Sequence, residues 1–177
     1  MLRLGVAASA IALVVLVAGC GDETSDAEGW ADSFCSNVNA WAMDLRGIAG
    51  DLQDDPSSVT VAGIRTAVAR AQDATETFAG ELRDLGPPRE ESGDAIEREM
   101  QSLAARVERI VDDVRDDVSG QNGNLFGALT AVSSGIAEAS KAVATSLTKI
   151  GEAGSDELAD ALRRSQQCAD VRDQLVG

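Results

Sequence analysis

The chain has 177 residues, with 15 Lys and Arg against 30 Asp and Glu, and no His or Tyr. Without His it cannot build a Ser-His-Asp triad, a Cys-His pair, an imidazole base or a His-rich metal site. A formal net charge of -15 sets most of the surface against nucleic-acid phosphates and anionic membrane faces.

At the N-terminus, Arg3 precedes an uncharged run from Leu4 to Gly19, the pattern of a secretory signal. As a helix this run spans about 24 Å at ~1.5 Å per residue, short of a ~30 Å hydrocarbon core, so it is expected to be removed rather than to span a membrane. It ends in Val17-Ala18-Gly19-Cys20, small residues directly before a cysteine, as the narrow subsite of a processing enzyme requires. This tetrapeptide resembles the lipobox of bacterial lipoproteins. The resemblance implies a diacylglycerol thioether on Cys20, cleavage before it, acylation of the new N-terminus and residence on the outer face of the cell membrane. Ordinary cleavage, or an uncleaved segment with a chance cysteine, is the alternative.

Residues 20–27 then form a lipidated Cys and a polar, flexible tether, and residues 28–177 a single domain. All the acidic residues follow residue 20, so loss of Arg3 leaves 14 basic against 30 acidic groups. Contact with the membrane is therefore expected through the lipid and not through basic docking. Two cysteines remain, Cys35 and Cys168. In an exported chain they are expected to pair; the competing reading is two unpaired Cys buried as small apolar residues.

From there the apolar residues recur in steps of three and four, as on one face of a helix. The first predicted helix carries Trp30, Phe34, Val38, Trp41, Leu45, Ile48 and Leu52, with Cys35 at the edge of the stripe. The second carries Val61, Ile64, Val68, Ala71, Thr75, Phe78, Leu82 and Leu85. A third runs through Ile96, Met100, Leu103, Val107, Ile110, Val114 and Val118. The fourth runs through Leu125, Leu129, Val132, Ile136, Ala139, Val143, Leu147 and Ile150. A shorter fifth segment aligns Leu158, Leu162, Ser165, Cys168, Val171 and Leu175, turning Cys168 inward. No segment shows the period of two expected of a strand.

Helix-ending residues separate these stripes. Asp54-Asp55-Pro56-Ser57-Ser58 stops the first helix and offers a cap to the second, and Gly86-Pro87-Pro88 divides the second from the third. Ser119–Asn124 and Gly151–Ser155 make the remaining turns, with Ser155 placed as an N-cap before Asp156 and Glu157. Short connections make neighbours antiparallel. The predicted fold is all-α, an antiparallel up-down helical bundle of four long helices plus a short C-terminal fifth. In that topology Cys35 and Cys168 lie about one helical turn apart in height, a mismatch that a small tilt of the fifth helix closes.

Val17-Ala18-Gly19-Cys20, an early Phe34-Cys35, the Gly86-Pro87-Pro88 break and a late Cys168 together resemble small secreted or lipid-anchored helical-bundle proteins of actinobacteria. The resemblance covers nearly the whole chain. It implies architecture and location, and no chemistry.

Asp112, Asp113, Asp116 and Asp117, around Val114 and Arg115, stack carboxylates four residues apart. The string contains the DDxxD pattern of all-helical prenyl-diphosphate enzymes, but the second motif and the basic pocket of such enzymes are missing. A solvated acidic face with Arg109 and Arg115 as counterions is the better reading, with a bound cation as the alternative. Ser133-Ser134-Gly135 lacks the strand-turn-helix of a nucleophile elbow, and Gly120–Gly127 lacks the Lys and Ser/Thr of a phosphate loop. Trp30 and Trp41 fall on the apolar stripe and are read as core rather than ligand-stacking rings. No catalytic residue, metal ligand or cofactor site is therefore assigned, and no nucleic acid is expected as a partner. The expected function is that of a non-enzymatic interaction or scaffold module that binds another envelope protein. The alternative is a carrier of a hydrophobic ligand such as a lipid, with the small residues of the fourth helix leaving space for it.

Overall fold

The computed structural model of the chain describes residues 23–54 and 59–176. Four long helices, α1 (Glu23–Asp54), α2 (Val61–Leu85), α3 (Gly93–Gly120) and α4 (Leu125–Ala153), are followed by two short ones, α5 (Asp156–Arg164) and α6 (Gln166–Val176). Among the described residues there is no strand. The chain is an all-α helical bundle, as its periodicity requires.

Cross-helix contacts fix the antiparallel order. Trp30 near the start of α1 donates its indole N–H to the Gly86 carbonyl just after α2, at 2.9 Å, while Asp51 near the end of α1 pairs with Arg70 of α2. Arg65 near the start of α2 reaches the Ser119 carbonyl at the end of α3. Glu99 early in α3 accepts from Ser146 and pairs with Lys149, both late in α4.

Helix ends follow local chemistry. The Thr60 hydroxyl accepts the Gly63 N–H to cap α2, the Asn124 side chain accepts the Gly127 N–H to cap α4, and the Ser155 hydroxyl accepts the Leu158 N–H to cap α5. Each satisfies one of the donors that a helix start leaves unpaired. Thr60 thus takes the role that the sequence offered to Ser57 and Ser58. After α2 the chain turns at Gly86 with φ of 65°, a conformation in which a Cβ is strained.

Two features differ from the sequence expectation. α1 begins at Glu23, inside the segment 20–27 expected to be a flexible tether; Asp26 in its first turn suits the positive end of the helix dipole. The expected fifth helix is two helices that break at Ser165. There the hydroxyl donates to Asp32 at 2.6 Å and accepts the Cys168 N–H, so a serine that continues the apolar stripe also caps a new helix.

The core gathers Trp30, Phe34, Val38 and Trp41 of α1 with Phe78 and Leu82 of α2, Ile96, Leu103 and Val107 of α3, and Val143 and Ile150 of α4. Trp30 stacks on Phe34, and Trp41 on Phe78 with ring centres 4.9 Å apart. The Trp41 indole N–H donates to Thr75, itself buried, so neither tryptophan leaves its donor unpaired in the core.

Candidate functional site

α4 is apolar on two adjacent faces, and over its first half the face it buries is not the one with the largest side chains. Ala128, Gly135, Ala139 and Ala142 are buried, whereas Leu129 is 42% and Ile136 53% exposed. The cause is the close approach of α3: a methyl group on Gly135 would run into Val114 Cγ2. Small residues let the helix axes draw together, and this rotates Leu125, Leu129 and Ile136 away from the core to which their spacing assigned them.

Leu129 and Ile136 face a gap. α1 packs on α2, α2 on α3 and α3 on α4, but α1 and α4, which would close the ring, barely touch. At one end α5 and α6 occupy the space between them. Cys35 of α1 and Cys168 of α6 lie there at disulfide-bonding distance, with Cα atoms 5.0 Å apart. Asn39 reaches Gln167, and Arg164 pairs with Glu28. Beyond α6 the space between α1 and α4 continues as an open cleft.

The cleft has two joined lobes that share Trp41, Leu45, Ala49, Ile136 and Ala139. The inner lobe, about 120 Å³ in volume, is floored by Ile64, Val68 and Ala71 of α2 and by Ile110 and Val114 of α3, and is walled by Leu129 and Val132. No charged or hydroxyl-bearing side chain lines it. The outer lobe, about 180 Å³, runs past Val143 to Val171 of α6; among its lining residues Arg46 alone is charged and Ser140 alone carries a hydroxyl. This lining favours contact with hydrocarbon over water, with one cation at the side.

The residues singled out in the sequence lie elsewhere. Arg115 pairs with Asp112 at 3.3 Å and Asp116 at 3.5 Å and donates to Gln72 of α2, all at or near the surface; Asp113 and Asp117 are exposed. Among the described residues no three His, Cys, Asp or Glu side chains are grouped to hold a metal ion. Trp30 and Trp41 are buried, and Trp41 also walls the cleft. Cys20 and the segment 1–19 lie outside the described residues. Among the described residues no helix is long and apolar enough to cross a membrane.

The cleft as a place was missed in the sequence, although its signal was there: Ala128, Gly135, Ala139 and Ala142 repeat at helical spacing beside Leu129, Val132 and Ile136. Two apolar faces on one helix mark either deep burial or an unfilled partner site. No protein-family model, curated protein or solved structure matches this chain.

Proposed function

We propose that this chain is a non-enzymatic binding module of the bacterial cell envelope, held on the outer face of the membrane by lipid on Cys20 and acting through the α1–α4 cleft. The observation that carries the binding role is that Leu129 and Ile136, apolar residues of a core-type stripe, are exposed along a cleft whose inner lobe has no polar lining side chain. Exposed apolar surface of this kind marks a binding site. Export is supported by the N-terminal pattern and by the approach of Cys35 to Cys168, which form a disulfide in an oxidising compartment.

The cleft suits a slender hydrophobic ligand better than a protein helix. Its inner lobe has no charged or hydroxyl-bearing lining side chain, which matches a hydrocarbon chain more closely than the mixed polar and apolar side chains of a protein surface. The carrier reading is therefore the one we favour. Docking of another envelope protein is the second reading, supported by Phe126, 79% exposed, and Met43, 60% exposed, both outside the lining of the cleft.

In-cell photocrosslinking from a benzophenone amino acid placed at Ile136 tests the site. A chain carrying a small-mass apolar adduct is expected, with none from the same group at the exposed Arg98 of α3. A high-mass band at Ile136 would instead support the protein partner. Equal labelling at both positions, or none at either, would remove the cleft as the working surface.

A further inference from the structure

We infer that the cleft binds a single-chain amphiphile with an anionic head, its acyl tail lying in the inner lobe and its head beside Arg46; this rests on the carrier reading above. The tail is argued from shape and lining. From Leu129 to Val143 the two lobes follow α4 for about 21 Å at ~1.5 Å per residue, and the part floored by α2 and α3 is wholly apolar. An open apolar cleft of that length takes an extended hydrocarbon chain laid along it.

The head is argued from charge. Arg46 is the one charged residue lining the cleft, and it makes no ion pair with any described residue. Its neighbours three and four residues away on α1 are Ala42, Met43, Ala49 and Gly50, so no acid on its own helix can reach across to neutralise it. In a chain with twice as many acids as bases, an unpartnered guanidinium at an apolar cleft is a local reversal of the prevailing charge. It is matched by a carboxylate or a phosphate monoanion, to which a guanidinium offers two parallel N–H donors. Ser140, across the same lobe, adds a hydroxyl donor.

The test uses tryptophan quenching by chains brominated along the tail, because Trp41 lines both lobes. Dibromostearate, its neutral alcohol and a brominated lysophosphatidylglycerol are titrated into the full chain and into the Trp41→Phe, Arg46→Glu and Ile136→Glu variants, with circular dichroism to verify the fold. Saturating quenching at one equivalent is expected for an anionic ligand, and little of it in Trp41→Phe. Arg46→Glu is expected to weaken the anionic ligands by about fivefold, the size of an exposed charge pair, and to leave the alcohol unchanged. Ile136, being exposed, tolerates substitution, and Ile136→Glu is expected to weaken all three. Binding of the fatty acid alone, or of the lysophospholipid alone, identifies the source of the head and supports the inference. Equal binding of acid and alcohol, with no effect of Arg46→Glu, overturns the anionic head while leaving a hydrophobic carrier. No quenching by any ligand, with a dimer that Ile136→Glu dissociates, gives the cleft to a second copy of this chain and overturns both.

Discussion

Replacing Cys35 and Cys168 together with Ala is expected to lower the unfolding free energy of the oxidised chain by about 4 kcal/mol, within the range for loss of a native disulfide in a small secreted domain. The two residues are 133 positions apart, so the cross-link closes most of the domain into one loop and removes much of the freedom of the unfolded chain. In the native state it ties α6 to α1. Other ties there include Ser165 to Asp32, Arg164 to Glu28 and Asn39 to Gln167, and an exposed pair such as Arg164 to Glu28 contributes on the order of 0–1 kcal/mol. Leu158, Leu162 and Val171 remain buried and keep α5 and α6 in place, but with less in reserve. Denaturant unfolding should show the loss in the midpoint, and amide exchange should quicken in 156–173 more than in α2 or α3. Unchanged exchange in α5 and α6 would mean that the pairing does not hold the wedge.

Phe78→Ala is the second large effect, with a loss of about 4 kcal/mol, as for deletion of a fully buried aromatic ring. The side chain is 1% exposed and stacks on Trp41, with ring planes inclined by 14°. Removing it takes away that stacking and leaves a void behind the indole that also walls the cleft. For a domain of this length ~1 kcal/mol shifts the melting temperature by about 2–4 °C, so a fall of about 12 °C is expected. Ile136→Ala provides the contrast: over half of that side chain already meets water, and its loss should move the melting temperature by little. A fall in Ile136→Ala as large as that in Phe78→Ala would mean that Ile136 is core and that the cleft is closed in solution.

The four long helices were legible because their apolar residues keep one period throughout. On α2 the stripe through Ile64, Val68, Thr75, Phe78 and Leu82, and on α3 the stripe through Ile96, Met100, Leu103, Val107 and Ile110, is the buried face. α4 was legible as a helix, and Ala139, Val143 and Ile150 of its stripe are buried, but the orientation of its first half was not legible. A reading by hydrophobicity gives the core to Leu129 and Ile136; tight packing against Val114 gives it to Gly135 and Ala128 instead. That choice depends on a neighbour about twenty residues earlier in the chain and on the wedge of α5 and α6, and neither is a local property. The break at Ser165 was hidden because serine there continues the stripe, and only its acceptance of the Cys168 N–H reveals a cap. Leu45 and Ile48 are half-buried for the same reason that Ile136 is exposed: the helix that would cover them is held away.

Native mass spectrometry of the mature chain, released gently from its own membranes and measured before and after reduction, tests a membrane-held carrier most directly. The expected species starts at an acylated Cys20, gains two hydrogens on reduction of one disulfide, and carries one noncovalent acyl amphiphile per chain that is absent from Ile136→Glu. A chain with an unmodified Cys20, isolated bare of any apolar ligand, would contradict both the anchor and the cargo.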